Sequence, residues 1–180
     1  GGSDTTSGLA SIPSIGVVAD AIVAAGGQAI ITETSEFFGA EHLFAERAAT
    51  PLCVGLLDIY KFNQLNDTHG HQTGDEALQH LVRVTRRTMR PSDVLARYGG
   101  EEFLLLLPET RQEEAVEVMV RLQRNLTKAF FLHDNERVLI TFSAGVALRR
   151  ETEPQAAVIE RADRALYQAK RSGKNRVCAA

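Results

Sequence analysis

The chain has 180 residues, with 44% apolar and 24% charged residues, which is typical of a globular domain with a real core. Its net charge of -3 gives no electrostatic case for nucleic acid or a membrane surface as a partner. We find no signal peptide and no apolar run of the roughly 18 residues that a membrane span needs. We therefore expect a cytoplasmic protein, with the widely separated Cys53 and Cys178 as reduced thiols in the core.

Residues 1–49 differ in composition from the rest of the chain. They are rich in Gly, Ala, Ser and Thr and nearly lack Lys and Arg. Their pattern favours a helix at 15–25, a strand at 28–33 and a helix at 37–48. We treat 1–49 as an appended segment and 50–180 as the main domain.

The main domain begins with an apolar run and a helix. Residues 51–60 are predicted to form a buried strand that carries Asp58 near its end. Residues 61–74 are dense in Asn, Asp, His and Gly, which is typical of a loop. Apolar residues then recur at helical spacing over 75–90, and Pro91 ends that helix.

The remaining residues predict a hairpin and further helices and strands. Two short strands, 93–98 and 102–107, flank Gly99-Gly100, a pair suited to a tight turn. The hairpin requires an antiparallel pair, so we expect an α/β fold with a mixed central β-sheet flanked by helices. The later predicted elements are a helix at 111–130, a turn at 133–136, a strand at 137–148 in which Gly145 allows a bend, a helix at 154–172 and a strand at 175–179.

Three carboxylates are predicted to gather at one end of this sheet. Asp58 lies near the end of the first core strand, and Glu101 and Glu102 lie at the hairpin tip beside it. Close like charges repel unless a cation joins them, and oxygen ligands without nearby His or Cys favour Mg²⁺ or Mn²⁺. A solvated acidic turn is the alternative interpretation, because such hairpin turns are common.

Three separated motifs carry a resemblance to a known family. The segment RYGGEEF at 97–103 resembles the defining motif of the GGDEF family, the diguanylate cyclases, in its GGEEF form. LDIYKFNQLNDTHGHQTGD at 57–75 resembles the family's nucleotide loop, and ADRALYQAKRSGKN at 162–175 resembles its last helix. The resemblance covers about residues 50–178 and implies an adenylyl-cyclase-like palm fold. It also implies a homodimer that condenses two GTP molecules into cyclic di-GMP.

The resemblance assigns roles residue by residue. It implies that Asp58, the carbonyl of Ile59 and Glu101 hold metal ions, that Glu101 is the base for the ribose 3'-hydroxyl, and that Glu102 is a nearby metal-site or structural partner. The residues that it places against GTP are Asn66, His71, Asp75, Lys170 and Lys174. Without the family, the polar residues would be loop or helix caps, Asp75 standing at an N-cap position, and the lysines would complement a helix C-terminus.

Arg90-Pro91-Ser92-Asp93 matches the family's RxxD inhibitory site, where the product cyclic di-GMP binds. Arginine can hold a guanine edge or a phosphate with two parallel hydrogen bonds, and aspartate can accept from guanine N–H groups. An ion pair at the end of a helix is the alternative role for Arg90 and Asp93.

The sequence also departs from the family pattern. Tyr60 stands where the family has a second Asp, Lys61 where it has His or Phe, Asn63 where it has Lys, and Lys174 where it has Arg. The loss of a cation at Asn63 keeps an alternative function open: a weak or inactive GGDEF module that binds GTP or cyclic di-GMP as a signalling receptor. Residues 1–49 resemble a fragment of the altronate/galactarate dehydratase family, and so short a fragment is assigned no catalysis.

Overall fold

The computed structural model describes residues 29–31, 50–97 and 101–180. Strand β1 (Ala29–Ile31) lies inside the strand predicted at 28–33. The helices predicted at 15–25 and 37–48, and the Gly99-Gly100 turn, lie outside the described residues. The other elements are β2 (Leu52–Ile59), α1 (Phe62–His69), α2 (His71–Thr88), β3 (Val94–Arg97), β4 (Glu102–Pro108), α3 (Gln112–Lys128), β5 (Phe131–His133), β6 (Glu136–Val138), β7 (Phe142–Leu148), α4 (Gln155–Arg171) and β8 (Val177–Ala179).

The main sheet has six strands in the order β1-β3-β4-β2-β7-β8. The four inner strands pair antiparallel, while the outer strands β1 and β8 pair parallel with their neighbours. The predicted mixed sheet flanked by helices is therefore confirmed. Strand β2 lies between β4 and β7, so both of its edges are paired along most of its length.

Burial on both faces explains why β2 is a continuous apolar run. Alternate residues of β2, such as Cys53 and Leu57, share a core with residues of α2 and α3. The residues between them, such as Val54 and Leu56, share a second core with residues of α4. A central strand covered by helices on both faces has no polar side, and only its last residues can carry polar groups toward solvent.

The prediction of a loop over 61–74 is wrong. Phe62–His69 forms α1, and α2 begins at His71 instead of residue 75. Gly70 separates the two helices with φ +90°, a conformation that glycine adopts without strain. The α1 sequence is polar except for Phe62 and Leu65, which face the core, so composition suggested a loop where tertiary packing stabilises a helix.

The single strand predicted at 137–148 is also wrong, because the chain there forms part of a hairpin and then a separate strand. Strands β5 and β6 pair across Asp134-Asn135, whose φ values of 49° and 64° suit a tight two-residue turn. Strand β7 then runs through Gly145 without interruption. A Cβ on Gly145 would lie 2.1 Å from the carbonyl oxygen of Ala162, so this glycine allows α4 to approach the sheet closely.

The two cysteines are free, but only one lies fully in the core. Cys53 is buried, and burial raises the pKa of its thiol to about 12. Cys178 is half-buried on strand β8 at the edge of the sheet. Among the described helices, none has both the length and the apolar character needed to cross a membrane.

Candidate active site

The register of the sheet places three carboxylates at the end of β2, as the sequence predicts. Asp58 lies directly opposite Glu102 of β4 and, on its other side, opposite Ser143 of β7. The backbone N–H of Ile59 donates to the carbonyl oxygen of Glu101 at 3.1 Å. We call the group of Asp58, Glu101 and Glu102 the carboxylate edge.

A cavity of about 220 Å³ opens at the carboxylate edge and joins it to the C-terminal part of the chain. Lys170 comes from the last turn of α4 and Lys174 from the loop before β8. The packing of α4 on β2 and β7 therefore brings predicted metal and phosphate residues together. The lining residues are Asp58, Ile59, Tyr60, Lys61, Glu101, Ser143, Lys170 and Lys174.

An ion pair crosses this cavity. The ammonium group of Lys170 donates to Oδ2 of Asp58, across 112 residues of sequence. The Asp58 side chain is 12% exposed and the Lys170 side chain 38% exposed, so the carboxylate is sheltered while the lysine keeps access to solvent. A nearly buried carboxylate needs such a positive partner, and Lys170 is the partner that this structure provides.

Crowding of negative charge is clearest at Glu102. Burial, and after it the neighbouring Asp58 carboxylate, raise the pKa of Glu102 above its ordinary value. The ammonium group of Lys170 opposes this shift, while Asp163 and Glu101 add to it. The carboxylate edge therefore favours an added positive charge, either a proton or a cation.

The donor set at the carboxylate edge fits a hard divalent cation. It offers carboxylate oxygens and the Ile59 carbonyl, without His or Cys in the cavity lining. Among the described residues, no group of three or more His, Cys, Asp or Glu side chains is placed so that it could hold a metal ion. Mg²⁺ is usually held by one or two carboxylates together with substrate phosphates, so an open set of this kind is compatible with it.

The predicted nucleotide residues lie on the two helices that meet at Gly70, with Asn66 on α1 and His71 and Asp75 on α2. Oδ1 of Asn66 is buried without a hydrogen-bond partner, and it lies so close to Gly74 that a Cβ there would be 1.8 Å away. An unpaired buried acceptor of this kind suits an N–H donor of a ligand. These three residues are absent from the lining of the cavity at the carboxylate edge.

The alternative role of Asp75 as an N-cap is wrong. Helix α2 begins at His71, with Gly70 as its N-cap, so Asp75 lies one turn inside the helix. His71 and Asp75 are four residues apart and therefore share a helix face. Both positions are adjacent to solvent, His71 being exposed and Asp75 half-buried.

Arg90 and Asp93 bind each other and hold the end of α2 against the end of β4. The backbone N–H of Arg90 donates to Oδ2 of Asp93 at 2.9 Å, and the Arg90 guanidinium donates to the carbonyl oxygen of Pro108 at 2.8 Å. The guanidinium also donates to the Thr110 hydroxyl. We call these four residues the Arg90–Asp93 corner. The geometry fits the helix-end ion pair that sequence leaves open.

The two charged side chains of this corner differ in their exposure to solvent. Asp93 is 1% exposed, and burial raises the pKa of its carboxyl, although the hydrogen bonds and charge of Arg90 oppose the shift. The Arg90 side chain is 49% exposed, so part of it faces solvent. A structural role for Asp93 and a ligand role for Arg90 are therefore compatible.

Sequence reasoning missed Ser143 and treated Tyr60 and Lys61 only as departures. The hydroxyl of Ser143 accepts a hydrogen bond from the backbone N–H of Asn175 at 3.1 Å, which fixes the loop that carries Lys174. The available signal for Ser143 was its polarity in an otherwise apolar strand. Its position opposite Asp58 depends on a strand pairing that sequence periodicity does not give.

Comparison with known proteins gives the family and the fold of this chain. The family model described as "Diguanylate cyclase, GGDEF domain" matches residues 35–176. Diguanylate cyclase A of Treponema denticola is 35% identical over 143 residues, which are 76% of this chain and 38% of that protein. The GGDEF domain of DgcB from Caulobacter crescentus, solved in complex with c-di-GMP, has a TM-score of 0.78 and 34% identity, covering 84% of this chain and 92% of that one.

A third structure, the active GGEEF domain of a diguanylate cyclase from Vibrio cholerae, has a TM-score of 0.70 and 34% identity over 76% of this chain and 88% of that one. The chain spans only 38% of the Treponema protein and 19% of diguanylate cyclase DgcP of Pseudomonas aeruginosa. The dehydratase resemblance of residues 1–49 finds no support in these comparisons, and the family match begins at residue 35, inside that segment. This chain belongs to the GGDEF domain family of diguanylate cyclases.

Proposed function

We propose that this chain is a diguanylate cyclase that condenses two GTP molecules into cyclic di-GMP with release of pyrophosphate. The observation that carries the proposal is the cavity in which Asp58, Ile59 and Glu101 face Lys170 and Lys174. Carboxylates beside two lysines are the charges that a reacting hydroxyl and a polyphosphate need. Relatives named as diguanylate cyclases support the choice of reaction. We place the reaction in the cytoplasm, as the sequence leads us to expect.

In the proposed reaction, Glu101 accepts the proton of a ribose 3'-hydroxyl. The hydroxyl oxygen forms a bond to the α-phosphorus of the second GTP, and the bond from that phosphorus to the bridging oxygen breaks. Pyrophosphate leaves with the electron pair. In a second, equivalent step, the 3'-hydroxyl of the second nucleotide attacks the α-phosphorus of the first. This step closes the ring and releases a second pyrophosphate. Two chains, each holding one GTP, would meet as a homodimer, which supplies the required proximity.

Mg²⁺ or Mn²⁺ is the proposed cofactor. Asp58, the carbonyl of Ile59 and Glu101 would hold it, with Glu102 close by. When bound, such an ion lowers the pKa of a coordinated hydroxyl and offsets phosphate charge. Lys170 now neutralises Asp58, and we propose that it turns to the triphosphate, together with Lys174, when substrate and cation occupy the cavity.

Asn66, His71 and Asp75 are the proposed guanine contacts. The unpaired Oδ1 of Asn66 would accept from the guanine N–H groups, and the Asp75 carboxylate is a second acceptor for them. Guanine presents two adjacent donors on this edge, whereas adenine does not, so these acceptors would favour GTP. Arg90 and Asp93 are the proposed inhibitory site for cyclic di-GMP, the molecule with which the DgcB domain was crystallised.

The second candidate is a binding module with little or no turnover. Tyr60 stands where the family has a carboxylate, and Asn63 stands where it has a cation. In addition, Lys170 forms an ion pair with Asp58, a proposed metal ligand. Such a module would bind GTP or cyclic di-GMP as a receptor. Asp58 and Glu101, the proposed metal ligands, are both present and line the same cavity, which favours the enzyme over the receptor.

The test is incubation of the 180-residue chain with GTP and Mg²⁺, with cyclic di-GMP measured by mass spectrometry. Glu101→Gln keeps the size of the side chain and removes its charge, so we expect the rate to fall by about 100-fold or more. Glu117→Gln, at an exposed position of α3, is the matched control and should keep the rate. If the unaltered chain makes no product at high protein concentration, the enzyme proposal fails and the receptor takes its place.

A further inference from the structure

The ring of Tyr60 contacts two lysines at the cavity beside the carboxylate edge. Nζ of Lys61 lies 5.1 Å from the ring centroid, and Nζ of Lys174 lies 5.0 Å from it. Both distances are within the range of an attractive cation–π contact. The two ammonium groups therefore lie no more than about 10 Å apart, since they share one ring. Residues far apart in sequence are thus held as a pair by one aromatic side chain.

The lysines of this cavity differ in their partners. Lys170 is paired with Asp58. Among the ion pairs of the described residues, neither Lys61 nor Lys174 has a carboxylate partner, and each ammonium group contacts the Tyr60 ring. A ring orients a cation without neutralising its charge. Lys61 and Lys174 consequently present positive charge to an anion that enters the cavity.

The backbone at both lysines is also fixed. Lys61 has φ 52° and ψ 38°, and Lys174 has φ 64°, values that a non-glycine residue rarely adopts. The carbonyl of Lys61 accepts from the N–H of Leu65 at 3.0 Å, and the N–H of Lys174 donates to the carbonyl of Ala169 at 3.0 Å. The N–H of Tyr60 donates to the carbonyl of Thr141 at 2.9 Å. Hydrogen bonds therefore hold the backbone from which each of these side chains leaves.

We propose that Lys61 is a triphosphate-binding residue of this chain and that Tyr60 is the positioning residue that holds it with Lys174. Lys61 supplies the positive charge that Asn63, two residues further on, does not carry. Tyr60 stands where the family has a carboxylate, and its ring contacts the ammonium groups of both lysines. The inference rests on the proposed function for the identity of the natural ligand, GTP, but the binding of a polyphosphate can be tested without turnover.

The first experiment measures the binding of inorganic triphosphate with Mg²⁺ to the full chain by calorimetry at low salt. Lys61→Gln should raise the Kd by about tenfold, the expected effect of losing one charge-assisted contact. Lys61→Arg should keep the Kd close to that of the unaltered chain. Lys128→Gln, at the exposed end of α3, removes the same charge elsewhere and should leave the Kd unchanged.

Variants at Lys61 and Tyr60 distinguish the effect of the ammonium charge from the effects of the backbone conformation and of the aromatic ring. Lys61→Gly accepts the left-handed backbone without strain and lacks the ammonium group, so it should fold normally and bind triphosphate as weakly as Lys61→Gln. Tyr60→Leu should weaken binding, while Tyr60→Phe keeps a ring and should restore it. In the cyclase assay, Lys61→Gln should raise the KM for GTP and leave kcat nearly unchanged, because the contact is made before and during the reaction.

The outcomes are distinguishable. If Lys61→Gln and Lys128→Gln have the same Kd for triphosphate, or if the unaltered chain binds none, the proposal is overturned, whatever the cyclase assay shows. If Lys61→Gln weakens triphosphate binding while the chain makes no cyclic di-GMP, the anion site stands and the proposed cyclase function fails. A clearly higher KM with a normal kcat supports both.

Discussion

The carboxylate edge and the Arg90–Asp93 corner use the same kinds of side chain in opposite ways. At the corner, the buried carboxylate of Asp93 has one dedicated arginine and a backbone N–H, and the arginine also holds Pro108 and Thr110. At the edge, Lys170 pairs with Asp58, and the pKa of Glu102 is raised by burial and by the neighbouring Asp58 carboxylate. Satisfied partners indicate a structural role, while neighbouring carboxylates at an open cavity indicate a ligand.

The largest expected effect is a loss of activity on substitution of Asp58 at the carboxylate edge. Asp58→Asn removes a proposed metal ligand and should lower the rate of cyclic di-GMP formation by about 100-fold or more. Its effect on folding should be under about 1 kcal/mol, because Lys170 can reach solvent once it is released. Initial rates and urea unfolding of the same preparation check both statements. A large loss of stability would show that Asp58 has a structural role.

The next effect concerns stability at the corner. Asp93→Ala leaves the Arg90 backbone N–H without its acceptor, removes the ion-pair partner of the guanidinium and deletes a buried side chain, so it should destabilise the fold by about 2 kcal/mol. Urea unfolding monitored by circular dichroism measures this loss. An unfolding free energy equal to that of the unaltered chain would show that the buried hydrogen bonds of Asp93 contribute little to stability.

The smallest effect concerns pH. The pKa of Glu102 is raised in the folded state, so the folded chain binds more protons than the unfolded chain at pH values between the ordinary value and the raised one. The unfolding free energy should therefore fall as pH rises through that interval. Glu102→Gln should remove the contribution of Glu102 to this dependence, while the raised pKa of Asp93 keeps its own contribution. At pH values above the interval, the variant should be more stable than the unaltered chain by less than about 1 kcal/mol.

Urea unfolding at several pH values, with a chelator to exclude divalent ions, measures that difference. Glu117→Gln, at an exposed position of α3, is the control and should follow the unaltered chain at every pH. A Glu102→Gln variant that loses stability as pH rises, in parallel with the unaltered chain, would show that crowding of charge at the edge is not its cause.

Local pattern predicts most of the sheet and the longer helices because their apolar residues repeat with the element's own period. It fails for α1, where Phe62 and Leu65 alone face the core and the other positions are polar. It fails for β5, since a three-residue strand is too short to show a period. In each case the deciding interaction is a tertiary contact.

The same reason limits what sequence says about the site. The meeting of Asp58 with Glu101 and Glu102 follows from the end of one strand lying beside the tip of a neighbouring hairpin, and it is predictable in outline. The pairing of Asp58 with Lys170 joins residues 112 positions apart, and the hydrogen bonds from Arg90 to Pro108 and Thr110 cross from one element to another. No local period contains these contacts, so they emerge only from the folded chain.

The assignment of the carboxylate edge as the active site is tested most directly by comparing Asp58→Asn and Asp93→Asn in one cyclase assay, with initial rates corrected for the folded fraction of each protein. We predict that Asp58→Asn is folded and makes almost no cyclic di-GMP from GTP and Mg²⁺. We predict that Asp93→Asn is less stable but retains the rate per folded molecule. Full activity in Asp58→Asn would contradict the assignment of the carboxylate edge as the active site.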